Sequence, residues 1–81
     1  MTLTGRFVPI SPAQCRAARG MLDWSRDELA NRAHVGRRTV VDFEREARQC
    51  QYSTLLAIRT AFEAAGLAFT DDGGVKPRGM M

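Results

Sequence analysis

The sequence predicts an all-α domain of about four helices with a short β element at its C-terminal end. Three observations support this. Apolar residues recur at helical spacing in four successive segments between residues 12 and 65. Capping residues and helix stops separate those segments. Beyond Gly66 the pattern changes to two short runs, "LAFT" and "VK", around "DDGG", the signature of a hairpin. The chain has 81 residues, which suits one domain whose core is limited by its size.

Residues 1–10, "MTLTGRFVPI", have no helical period, and Pro9 and Pro12 discourage helix up to Ile10. They predict an extended arm, with a short strand around Phe7 and Val8. Ser11 followed by Pro12 is a helix start, a hydroxyl cap with Pro at the first helical position. Helix 1 is expected over 12–22, with Cys15, Ala18 and Leu22 on one face and Arg19 beside them. Ser25 caps helix 2, expected over 26–33, and Glu28 three residues later completes an S-x-x-E capping box. Trp24 is placed to staple against Leu29, and Asp27 and Glu28 suit the first turn through the helix dipole.

His34 then interrupts the helix as a left-handed turn residue, a place usually held by Gly. Val35 is expected to be buried, and Gly36 opens the next helix. Helix 3 is expected over 37–46. At 100° per residue, Thr39, Val40 and Phe43 fall on one side. Arg37, Arg38, Val41, Asp42 and Arg45 form a contiguous arc on the other, so Val40 faces the core and Val41 faces out. The polar run "REARQCQY" reads as a loop. Ser53 is the expected cap of helix 4, over 54–65, with Leu55, Ile58, Phe62 and Ala65 at core spacing and Gly66 as its stop. Residues 77–81 are expected to fray.

Composition narrows the function. The net charge is +3, with 12 Lys and Arg against 9 Asp and Glu. That is mildly basic and compatible with an anionic partner. Lys76 is the single lysine, so the other eleven basic residues are arginines, which favour bidentate contact with phosphate and base edges. Cys15 and Cys50 lack metal-site spacing, and one His cannot complete a zinc site with them. No Ser-His-Asp set is present, and Gly73-Gly74 lies in a hairpin turn, not between a strand and a helix. Neither catalysis nor a cofactor is expected. No apolar run approaches a membrane span, and the N-terminal residues lack a signal-peptide core. The expectation is a cytoplasmic protein.

"WSRDELANRAHVGRRTVVDFE" resembles the helix-turn-helix of the lambda-repressor/Cro-like, or Xre-type, family. The resemblance rests on Ser25, Glu28-Leu29-Ala30, the turn at His34, Val35, Thr39-Val40 and Glu44. "SPAQCRAARGMLDWS" is similar to the family's first helix, and the match covers residues 11–66. It implies a lambda-repressor-like helix-turn-helix bundle in which helix 3 enters the major groove and helix 2 crosses the backbone. Arg37 and Arg38 are then expected at guanine edges, Val41 at a thymine methyl, and Asp42 at a cytosine or holding Arg38. Arg26, Thr39, Arg45 and Arg48 are expected at phosphates, with Arg6 of the arm as a further backbone contact. Arg19 and Glu44 are expected to face each other as a structural pair between helices 1 and 3.

The expected function is sequence-specific binding of double-stranded DNA, as a repressor-like regulator. A homodimer on a pseudo-palindrome is expected, with residues 67–81 as the dimerisation element. The alternative is a protein-interaction module such as an antitoxin or adaptor bound to a toxin or another protein.

Overall fold

Local capping chemistry sets the helix boundaries in the computed structural model, which describes residues 8–78. The element order is α1 (Pro12–Leu22), α2 (Arg26–Ala33), α3 (Arg37–Glu44), α4 (Tyr52–Ala64), β1 (Leu67–Phe69) and β2 (Val75–Pro77). The protein is therefore mainly helical, with a two-stranded antiparallel sheet at its C-terminal end. The strand expected around Phe7 and Val8 falls partly outside the described residues, and Val8 itself is not in a strand. Arg6 and residues 79–81 also lie outside them.

At α1 the Ser11 hydroxyl accepts from the Gln14 amide at 3.1 Å, and Gln14 Oε1 accepts from the Ser11 amide at 2.9 Å. The reciprocal capping box is thus S-x-x-Q at Ser11. At Ser25 only half of the expected box forms. The Ser25 hydroxyl accepts from the Glu28 amide at 3.0 Å, but the Glu28 carboxylate turns along the helix to Arg32 at 2.6 Å. A charged partner one turn away outcompetes a neutral backbone amide. Helix α4 begins earlier than its Ser53 suggests. Gln51 is the N-cap and makes no side-chain cap bond. The Gln51 carbonyl accepts from the Leu55 amide at 3.1 Å and closes the first turn without a hydroxyl.

Three helices end in the same way. Trp24 N donates to the Arg19 carbonyl, Val35 N to Ala30 and Ala47 N to Asp42, at 3.0, 3.1 and 2.9 Å. Each bond spans six residues and encloses a left-handed residue, the Schellman arrangement. Those residues are Asp23, His34 and Glu46, with φ of 59°, 59° and 58°. None is glycine. The third ends α3 at Glu44, so Arg45 and Glu46 are not helical as the sequence pattern suggested.

The core joins Ile10, Cys15 and Ala18 to Leu29, Ala30 and Ala33 of α2, Val40 and Phe43 of α3, Leu55, Ile58 and Phe62 of α4, and Leu67. Ile10, assigned to the arm by the sequence, is fully buried, and Arg59 Nη1 donates to the Pro9 carbonyl at 3.0 Å. Val35 packs against the core only partly buried. The Trp24 ring stacks on Phe62 at 5.5 Å and 20°. Arg32 covers Trp24, 4.5 Å from the ring centroid.

The hairpin pairs Leu67 with Pro77, Ala68 with Lys76 and Phe69 with Val75. Its turn uses Gly73 at φ 93°, and the Thr70 hydroxyl accepts from the Gly74 amide at 2.8 Å. Pro77 and Arg78, expected to fray, belong to this unit, since Arg78 N donates to the Gly66 carbonyl at 2.7 Å. The hairpin is held to the helices by β1 on α4 and β2 on α1. Gln14 Nε2 adds a bond to the Gly74 carbonyl at 3.2 Å. Each tail strand therefore finds its partner within the chain.

His34 is exposed, so the left-handed strain can be removed there without loss of packing. His34→Gly is expected to stabilise the protein by about 1 kcal/mol, the excess of left-handed strain over added chain entropy. Urea denaturation monitored by Trp24 fluorescence measures it, and an unchanged midpoint would count against the strain.

Candidate nucleic-acid interface

Helix α3 has two chemically different sides. Val40, Phe43 and Glu44 are buried. Arg37, Arg38 and Arg45 are exposed, while Val41, Asp42 and Thr39 are half-buried. Val41 is thus only partly outward, with its neighbours covering some of it. Arg48 joins the outward side from the loop after α3.

Three of the four arginines of that side lie beside carboxylates. Arg37 Nε lies 2.7 Å from Asp27 Oδ1, an ion pair from the start of α3 to the first turn of α2. Asp42 takes two partners, Arg38 Nε at 3.5 Å and Arg48 Nε at 3.6 Å. The Asp42 side chain is only 15% exposed, against 87% and 75% for its two arginines. Asp42 is thus an anchor beneath two exposed cationic heads. Arg45 has no ion-pair partner among the described residues.

The inward side depends on Glu44, whose side chain is wholly inaccessible to solvent. A buried carboxylate demands compensation. Arg19 supplies two bonds, from Nε at 2.7 Å and Nη2 at 2.8 Å. Arg26 Nε donates at 3.1 Å and the Cys15 thiol at 3.1 Å. The structure therefore brings the Arg19 and Glu44 positions together and adds α2 to them through Arg26. Arg19 Nη1 also donates to the Trp24 carbonyl at 2.9 Å, and Arg16 donates to the Glu44 carbonyl. Helices α1, α2 and α3 meet at one charge.

Burial alone would raise the Glu44 pKa, but hydrogen bonds from Arg19, Cys15 and Arg26, with the Arg19 charge, outweigh it and lower it. The bond to Glu44 in turn raises the Arg19 pKa against its own burial. Burial first, then Glu44, pushes the Cys15 thiol far up, so Cys15 stays protonated and donates.

The sequence missed several of these contacts. Arg26 was read as a phosphate contact. Its Nε is engaged by Glu44, although 41% of its side chain remains exposed. The one available signal was Glu44 itself, a carboxylate four residues after Val40 on the buried stripe, which calls for more than one donor. Asp27 was read only as a dipole residue, and its partner Arg37 lies across the turn, where helical spacing has no say.

Among the described residues, no group of His, Cys, Asp and Glu is arranged to hold a metal ion. Among them, also, no helix is long and apolar enough to cross a membrane. No protein-family model matches the chain, and no curated protein matches it.

Two stability predictions follow from Glu44. Arg19→Ala is expected to cost about 3 kcal/mol because it strands a buried charge, whereas the more exposed Arg26 costs about 1 kcal/mol or less. Urea midpoints that rank the two variants the other way would refute this reading of the network. The second concerns acid. The native pKa of Glu44 lies below its ordinary value of 4.5. Its ionised form therefore adds stability that is complete above that value and is lost as the pH falls from it through the native pKa. Glu44→Gln is expected to be less stable at pH 7 and to lose less stability between pH 5 and pH 3, roughly the carboxylate range. An equally steep acid limb in the variant would show that other carboxylates govern it.

Proposed function

We propose that this chain is a lambda-repressor/Cro-like, Xre-type helix-turn-helix protein that binds double-stranded DNA sequence-specifically and regulates transcription, as a repressor. The observation that carries the reading is the outward side of α3. Arg37, Arg38 and Val41 stand there on a short helix whose opposite side is locked to α1 and α2 through Glu44. Major-groove readout needs such a helix, with donors for guanine and a methyl for thymine on a fixed support. The connection between α2 and α3 is short, with His34, Val35 and Gly36 between them. Arg45, Arg48, Thr39 and the exposed part of Arg26 serve phosphates in this reading.

One helix of this size reads few bases. A homodimer on two half-sites about one DNA turn apart supplies the rest. The tail is less available for this than its sequence suggests, because β1 and β2 already pair with each other. Their outer edges, three residues each, are what remains for a second copy.

A different face favours a second reading, a protein-interaction module of the antitoxin or adaptor kind. Val8, Tyr52 and Leu56 are exposed apolar residues. Val8 and Tyr52 border a cleft of about 490 Å³ that also includes Pro12, Phe43 and Leu55. Grouped apolar exposure of this kind suits a protein partner.

Selection of duplexes from a random pool at two salt concentrations separates the readings. A DNA reader enriches a motif, and its affinity falls with salt in proportion to the phosphates neutralised. Arg37→Ala is expected to relax preference at one base position at a cost of about 1–3 kcal/mol. Arg45→Ala and Arg48→Ala are expected to weaken all duplexes alike and each to lower the salt slope by about 1. Absence of any enriched motif at either salt concentration would defeat the proposal.

A further inference from the structure

The Asp27–Arg37 pair stands out because it does little for the fold. Both side chains are about two thirds exposed, 66% and 64%, and exposed ion pairs add little stability. Yet the nitrogen–oxygen separation is 2.7 Å, as short as that between Arg19 and the buried Glu44. The pair links two helices instead of neighbours on one, so it fixes where the Arg37 head lies relative to α2. The contact is made at Nε. Four further N–H donors, on the two terminal nitrogens, remain for a bidentate contact. Asp27 shares its surface hollow with Ser25, Arg26, Arg19 and Arg37 at the N-terminal end of α2. A carboxylate there opposes any anion that approaches that end of α2.

We infer that Asp27 is a positioning and specificity-determining residue: it holds Arg37 in the geometry for base reading and, by its charge, weakens binding to duplexes that lack the preferred base. This rests on the DNA-binding reading above. One carboxylate thus has two consequences, one for every duplex and one for the base-specific part alone. Removing its charge strengthens the sequence-independent attraction to phosphates. Removing its hold on Arg37 frees a long side chain that must then be ordered on binding, which weakens the base-specific part.

The test uses the full chain and the duplex recovered by selection, with a scrambled duplex of equal length. Affinities for both are measured for wild type, Asp27→Asn, Arg37→Ala and the double variant, at two salt concentrations. Circular dichroism and thermal melting check that each is folded. Asp27→Asn is expected to bind the scrambled duplex about threefold more tightly, as one repulsive charge is lost. Its ratio of selected to scrambled affinity is expected to fall about fivefold or more. In the Arg37→Ala background, Asp27→Asn is expected to leave that ratio unchanged, because the residue it positions is gone. Equal tightening on both duplexes by Asp27→Asn would show a charge effect alone and overturn the inference. So would an undiminished effect on the ratio without Arg37. Wild-type protein that binds no duplex overturns the DNA reading and this inference with it. Wild-type protein that binds selectively, with Asp27→Asn equally selective, overturns this inference alone.

Discussion

One buried negative charge organises this small protein. Glu44 ends the buried stripe of α3 and has no access to water. Left alone, such a group would be strongly destabilising. Arg19 from α1, Arg26 from the start of α2 and the Cys15 thiol converge on it. The bidentate fork of Arg19 constrains direction as well as distance. The angle at which α3 leaves the rest of the molecule is thereby tied to α1 and α2. Apolar packing of Val40 and Phe43 fills the space beneath α3, but hydrocarbon contacts alone would tolerate more sliding. A charge with four donors has fewer acceptable geometries.

The same economy shapes the turns. Three left-handed residues that are not glycine let α1, α2 and α3 stop where they do. The turns at Asp23 and His34 are tight because each closes with bonds spanning six residues. A tight turn brings the first residues of one helix beside those of the next. That proximity places Asp27 of α2 within reach of Arg37 of α3, and Arg26 within reach of Glu44. Backbone geometry at one residue thus decides which charges meet.

Much of the helical frame was legible in the sequence. Ser11-Pro12, Ser25 and Gly66 mark boundaries through chemistry that acts within a few residues. Leu55, Ile58 and Phe62 mark a core face through period alone, and the left-handed turn at His34 was read from residue type. The misreadings have physical causes. Ser53 looks like a cap, but the Leu55 amide closes the turn on the Gln51 carbonyl, and no hydroxyl is needed. Glu46 gives no local sign of a left-handed end. Ile10 precedes any periodic segment, so nothing along the chain marks it as core, although the space between helices takes it in completely. At the candidate site, the outward places of Arg37 and Arg38 were legible because they depend on one helix's period, whereas Val41 and Asp42 are half-buried and Arg45 lies past the helix end. The anchors Asp27, Arg26 and Cys15 were not, because their roles depend on how separate helices cross.

The distribution of carboxylates bears on how a mildly basic protein can choose among anionic partners. A net charge of +3 attracts a polyanion only weakly at physiological salt, where charges farther apart than about 8 Å are largely screened. Bulk attraction would be increased simply by removing acids from the outward surface. Instead Asp27 and Asp42 lie among the arginines there, one beside Arg37 and one beneath Arg38 and Arg48. Each subtracts from the general field and restricts where a guanidinium can go. For a surface that only needed to hold phosphates, both effects would be losses. For a surface that must tell one base edge from another, they reduce wrong binding and limit the ordering needed for correct binding. On the DNA-binding reading proposed above, the placement of these two carboxylates is therefore better suited to selection than to grip.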